Sequence, residues 1–158
     1  PRQVDRKSIK CHTQGVLAVA LSTDGRYLAS GGYDRAICVW DTRTNAVVDA
    51  FTGHRDTITG LAFRRGTHTL YSTSHDRSVK VWNLNEMAYV ETLFGHQSEV
   101  NAVDSLLKER CATVGSDRTA RLWKIVEESH LVMRGHTTSM DCVKMMTDQV
   151  FATGAQGG

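Results

Sequence analysis

At 158 residues the chain is long enough for one domain with a sizeable core. Its formal net charge of +2, with 23% charged residues, gives a mixed surface, and composition alone makes no strong electrostatic argument for nucleic acid or an anionic membrane. No apolar run approaches the ~18 residues of a membrane span, and the N-terminal PRQVDRKSIK has no signal-peptide core. Four cysteines, Cys11, Cys38, Cys111 and Cys142, stand far apart and mostly among apolar neighbours; they predict reduced, buried thiols of a cytosolic or nuclear protein, with neither metal spacing nor a disulfide framework.

Residues 1–11 are a polar lead-in that reads either as a linker or as the end of a preceding unit. Residues 12–53 open on GVLAVAL, which alternates as a strand; Thr23-Asp24-Gly25 makes a turn, and RYLAS, AICVW and NAVVDAF supply three more strands. Residues 54–95 repeat that order, with the first hairpin turning on Arg64-Arg65-Gly66. Residues 96–135 repeat it again with LLKER at the turn. Residues 136–158 begin a fourth copy with SMDCVKMM and VFATGA and stop before a third strand.

Three markers hold one register across these copies. The histidines His12, His54, His96 and His136 are 42, 42 and 40 residues apart. Asp34, Asp76 and Asp117 each stand six residues before Trp40, Trp82 and Trp123. The Gly-His dipeptide that precedes the second, third and fourth copies is degraded to Cys11-His12 in the first. A period of about 40 to 45 residues with this punctuation is the signature of WD repeats, each a four-stranded propeller blade. The expected fold is therefore all-β: a WD-repeat β-propeller fragment of about three full blades plus the start of a fourth, since propellers close with roughly 4 to 8 blades.

The residue types explain the spacing. The histidine is expected in the loop leading to the first strand, Ser30, Ser72 or Thr113 in the second, the aspartate in the next turn and the tryptophan in the third strand. An indole N–H only donates, a hydroxyl does both, a histidine offers one nitrogen of each kind and a carboxylate only accepts, so the four can be satisfied end to end. In the fourth copy His136 and Thr153 remain, and Gly157 stands where the aspartate belongs. Ser72, His54 and Asp76 also match the residue types of a hydrolase triad. The set recurs in every full copy, however, and nothing resembles a nucleophile elbow, a phosphate loop or an acidic metal cluster. The reading is a structural network in a non-enzyme, with no catalytic residue, no cofactor, no metal and no small-molecule substrate.

Loop positions remain as candidates for function. At the end that carries the histidines and aspartates these are Tyr33, His75 and Ser116, then Thr13, Arg55, Gln97 and Thr137, and the arginines Arg35, Arg77 and Arg118 that follow each aspartate. At the other end Arg64-Arg65-Gly66-Thr67-His68 is the densest basic turn. Tyr71 and Tyr89 read as strand and core residues rather than base-stacking platforms.

The run FRRGTHTLYSTSHDRSVKVWN (63–83), followed by YVETLFGHQ (89–97), closely resembles the family of WD-repeat proteins specific to the U-three small nucleolar ribonucleoprotein. HTQGVLAVALSTDGRYLASG, RLWKI and EESHLVMRGH agree in place, so the resemblance covers nearly the whole chain and is most specific over residues 51–97. It implies a nucleolar box C/D ribonucleoprotein component that binds a kink-turn of small nucleolar RNA together with a small kink-turn-binding protein. The implied task is processing of the small-subunit ribosomal RNA precursor, with no membrane partner. The alternative is a general WD-repeat interaction scaffold or substrate receptor. Because blade two carries the strongest resemblance, RNA or partner contact is expected from Arg64, Arg65 and His68 at one end and from Arg55, His75 and Arg77 at the other; arginine suits this task because its fork grips phosphate or stacks on an unpaired base.

Overall fold

The computed structural model of the chain describes residues 11–156. Its fourteen strands form four antiparallel sheets, with no helix among the described residues. Blade one is β1 (Val16–Leu21), β2 (Tyr27–Gly32), β3 (Ile37–Asp41) and β4 (Ala46–Phe51). Blade two is β5 (Ile58–Phe63), β6 (Thr69–Ser74), β7 (Ser78–Asn83) and β8 (Ala88–Phe94). Blade three is β9 (Val100–Ser105), β10 (Arg110–Gly115), β11 (Thr119–Lys124) and β12 (Ser129–Arg134). The fourth sheet is the pair β13 (Met140–Met145) and β14 (Phe151–Ala155). Within each sheet the strands pair in sequence order, as short hairpin connections require. The expected strands and turns are all present, with Gly25 and Gly66 supplying positive φ of 71° and 75° where the first hairpins of blades one and two close.

The core lies between the blades. One cluster joins Tyr27, Ile37, Val39 and Phe51 of blade one to Ile58, Phe63, Leu70 and Trp82 of blade two; a second joins Tyr71, Val79 and Val81 to Val103, Cys111 and Trp123; a third joins Val114 and Leu122 to Met140, Val143 and Met145. Each such side chain contributes about 1.5–3 kcal/mol by burial, so a blade is stabilised mainly by its neighbours. The tryptophan is shared in this way: Trp82 stacks on Phe51 of the previous blade with ring centroids 4.9 Å apart and planes within 4°.

The first strands pack one against the next, and a β-bulge sits near the start of each. Leu17, Thr59, Asn101 and Asp141 are the extra residues, so the bulge keeps the same period as the histidines. Two of them reach into the following blade: the Thr59 hydroxyl donates to the Val100 carbonyl at 2.6 Å, and Asn101 Nδ2 donates to the Met140 carbonyl at 2.8 Å. A bulge re-aims one side chain out of the alternating pattern, and here it re-aims it toward the adjacent blade.

The reading of the cysteines is corrected. Cys11 and Cys38 form a disulfide with Cα atoms 6.3 Å apart, Cys111 is a buried free thiol, and Cys142 is free but exposed. The bridging pair is 27 residues apart in sequence, a separation that carries no local signal. Cys11 holds the place of the glycine in Gly-His, and Cys38 stands two residues before Trp40; the blade brings these two positions face to face. Tyr71 is core as expected, whereas Tyr89 is 52% exposed. Residues 1–10 of the lead-in and Gly157 lie outside the described residues.

Candidate functional site

In each full blade the four marker residues form one relay. The indole N–H of Trp82 donates to Ser72 Oγ at 2.8 Å, Ser72 donates to His54 Nε2 at 2.8 Å, and His54 Nδ1–H donates to Asp76 at 2.9 Å. Blade one repeats this through Trp40, Ser30, His12 and Asp34 at 2.9, 2.8 and 2.8 Å. Blade three does so through Trp123, Thr113, His96 and Asp117 at 2.7, 2.8 and 2.9 Å. The donor-only indole sets the direction of the chain and hence the histidine tautomer, with the proton on Nδ1. In the partial copy only His136 and Thr153 meet, at 3.1 Å.

The aspartate does more than end the relay. Its carboxylate also accepts the backbone N–H of the residue after the histidine, which is Thr13, Arg55 or Gln97, and the N–H two residues beyond itself, at Ala36, Ser78 or Thr119. It thereby spans Arg35, Arg77 and Arg118, all of which have left-handed backbone, with φ of 65°, 69° and 60°. Burial opposes ionisation of Asp76, but bonds from His54, Ser78 and Arg55 outweigh it and hold the carboxyl below its usual range. The carboxyl groups of Asp34 and Asp117 are lowered in the same way. Burial also pushes His96 below its ordinary value despite Asp117, which keeps the imidazole neutral. Ser72 and Thr113 are fully buried, and each hydroxyl is engaged by both an indole and an imidazole. The triad-like set therefore presents no nucleophile to solvent.

The two groups of candidate contact residues fare differently. Arg64 lies against blade three: its Nε donates to the Leu107 carbonyl at 2.8 Å and its Nη1 to Glu109 at 2.6 Å. His68 sits between Asp24 of blade one, at 2.8 Å, and Asn85, at 2.6 Å. The Arg65 backbone N–H donates to the Leu106 carbonyl, and that of Gly66 to Thr23 Oγ1. This turn straps blade two to both neighbours, and of its cationic side chains only that of Arg65 stands exposed. At the opposite end Arg55, His75 and Arg77 are all exposed on adjoining loops, where the His75 N–H donates to the Thr57 carbonyl.

Beside those loops is a cleft of about 190 Å³ lined by Gly53, Arg55, Asp76, Ser78, Lys80, Thr92 and Phe94. Phe94 is 75% exposed. Blade three has the equivalent cleft, about 260 Å³, lined by Gln97, Asp117, Arg118, Thr119, Arg121, Arg134 and His136. Lys80, Phe94, Arg121 and Arg134 are not among the contact residues expected from the sequence. The one available signal was positional: Lys80 and Arg121 stand two residues before the tryptophans, and Phe94 directly before Gly95-His96. No group of three or more metal-ligating side chains occurs among the described residues, nor any helix long and apolar enough to cross a membrane.

Comparison with known proteins agrees with this architecture. The model of the family described as WD domain, G-beta repeat, matches residues 4–41, 45–83 and 87–124. The chain is 52% identical over 149 residues to U3 snoRNP-associated protein-like YAO of Arabidopsis thaliana, covering 94% of this chain and 30% of that protein. It is 53% identical over 148 residues to U3 small nucleolar RNA-interacting protein 2 of Mus musculus, covering 93% of this chain and 31% of that one. Among solved structures, "Structure of U3-55K" superposes with a TM-score of 0.91 at 54% identity, covering 93% of this chain and 45% of that chain. The chain thus spans about a third of the length of the curated relatives it matches. With three copies of one relay, three inter-blade cores and a family match over most of its residues, the chain belongs to the WD domain, G-beta repeat family.

Proposed function

We propose that this chain is part of a non-catalytic component of the U3 box C/D small nucleolar ribonucleoprotein, acting in the nucleolus in pre-rRNA processing and small-subunit biogenesis. The observation that carries the reading is sequence identity above 50% spread over more than nine-tenths of the chain, shared with relatives named for that particle. The blade by itself demands only the relay and the core, so identity of that extent reaches into the loops as well. Its partners on this reading are the small nucleolar RNA, the small kink-turn-binding protein and other ribonucleoprotein components.

The contact surface proposed is the relay end of blade two: Arg55, His75 and Arg77, with Lys80 and the exposed ring of Phe94 beside them. Clustered cations supply phosphate contacts, and an exposed aromatic supplies a stacking face. Arg65 remains a candidate at the opposite end, while Arg64 and His68 serve the strap. The test measures binding of full-length protein to the guide RNA already carrying its small protein partner, across a salt series. Replacing Arg55 and Arg77 with alanine is expected to weaken binding and to lower the salt slope by up to about 0.7 to 0.9 per lost phosphate contact. Replacing Arg64 is expected to lower stability instead. Unchanged affinity and slope in the folded Arg55/Arg77 double variant would remove blade two from the RNA interface.

A further inference from the structure

The same two positions face each other in each of the three full blades, and blade three fills them unlike the others. In blade one they hold the Cys11–Cys38 disulfide. In blade two they hold Gly53 and Lys80, whose ammonium donates to Thr92 Oγ1 at 2.7 Å and lies 5.2 Å from the centre of the Tyr89 ring. In blade three they hold Gly95 and Arg121. The guanidinium lies so close under Gly95 that a Cβ there would stand 2.5 Å from Nη1.

Arg121 is only 6% exposed. Its Nη1 donates to His130 Nε2 at 2.8 Å, an acceptor without charge, and its Nε is buried with no partner. Asp117 is the carboxylate in its cleft, and both oxygens are already engaged: one by His96 and the Gln97 N–H, the other by the N–H and hydroxyl of Thr119. Among the described residues no ion pair compensates the Arg121 charge. More positive charge gathers around it instead. Arg134 pairs directly across from Thr119 and shares its sheet face with Arg121, and Arg118 and His136 complete the lining of the ~260 Å³ cleft. Asp117 acts on Arg121 only from a distance, and burying a cation without an ion-pair contact is costly, as is an unpartnered buried donor.

We propose that this blade-three cleft is a phosphate pocket that holds one backbone phosphate of single-stranded RNA, with the Arg121 fork as its base and Arg134 and Arg118 at its rim. A planar guanidinium matches two phosphate oxygens. Nucleic acid is favoured by Phe94, the residue before Gly95: its ring is 75% exposed and lines the neighbouring blade-two cleft, so a strand running from that cleft to this one meets a stacking face for a base. The choice of RNA rests on the proposed function above; the pocket itself does not.

The first arm follows the Arg121 guanidinium N–H resonances, Nη as well as Nε, in the full-length protein during titration with inorganic phosphate alone. A saturable downfield shift, lost in Arg134→Ala, is expected; no shift would overturn the pocket whether or not the protein binds RNA. The second arm measures binding of a short single-stranded oligoribonucleotide across a salt series. Arg134→Ala, an exposed edge-strand change that leaves the core alone, should weaken binding several-fold and lower the salt slope by about 0.7. Arg121→Lys keeps the charge and loses the fork, so it should weaken binding with little change in slope. An unaltered affinity in folded Arg134→Ala overturns the assignment to RNA, even if the blade-two variants show that the guide RNA is bound elsewhere. A phosphoserine peptide that displaces inorganic phosphate when the oligoribonucleotide cannot would overturn it too.

Discussion

Blades one and three hold the same relay within 0.2 Å at every step, yet the pair of positions just outside it is a disulfide in one and a glycine under an arginine in the other. The two positions are coupled by space. Glycine before the histidine leaves room for a long cation to run beneath the backbone, and a side chain there requires a short partner opposite. Blade one has made both changes together. The two blades also differ in cover: Trp123 is 4% exposed against blade two, whereas β1, which has no sheet before it among the described residues, shows Val16, Leu17, Val19 and Leu21 between 45% and 65% exposed. Relay geometry is thus a property of the single blade, and burial a property of its neighbours.

The largest expected effect tests that division. Trp123→Ala removes a relay donor and a ring packed into the second core cluster, and should cost about 3–5 kcal/mol in chemical denaturation. Trp40→Ala breaks the same bond in a less covered blade and should cost less. Equal losses would mean that the relay, not the neighbour, sets the energy. Next comes reduction of Cys11–Cys38, which should destabilise blade one by about 2–4 kcal/mol, read as loss of amide protection in β1 to β3 with β9 to β11 unaffected.

Gly95→Ala should cost about 1–3 kcal/mol by overpacking against Arg121 and Trp123. The double change Gly95→Cys with Arg121→Cys should recover part of that loss and form a disulfide on oxidation, seen in mass under non-reducing conditions. If the bridge does not form, the coupling of the two positions is peculiar to blade one. The smallest effect at neutral pH is electrostatic. The folded pKa of His96 lies below its unfolded value of about 6.5, so the unfolded state binds the proton more readily and stability falls as pH drops below that value. Asp34, Asp76 and Asp117 are also lowered on folding. Their contribution is present above about pH 4 and is lost as pH falls further, so stability should decline in two stages. A His96→Gln variant that keeps the first stage would refute the assignment to His96.

The repeat register, the strand order and the relay were legible because they depend on residues within one 42-residue period: a turn residue, a donor-only indole and an acceptor-only carboxylate at fixed offsets. The bulge residues Leu17, Thr59, Asn101 and Asp141 share that period but not a residue type, so no motif marked them. Tyr89 reads as a strand and core residue from sequence, and its exposure reflects its place on the outermost strand of its blade.

What tertiary structure alone decided is which charged and sulfur-bearing groups are already engaged. Arg64 and Arg65 are adjacent in one turn, and only the first meets Glu109, 45 residues on. His68 finds Asp24 from 44 residues away, and Cys11 finds Cys38 across a blade. Such pairs join one repeat to the next, or one side of a sheet to the other, where identical offsets carry different residues in each copy. Local spacing therefore determined the blade and its relay, whereas the lack of an ion pair for Arg121 of blade three is decided by tertiary contacts that already engage both oxygens of Asp117.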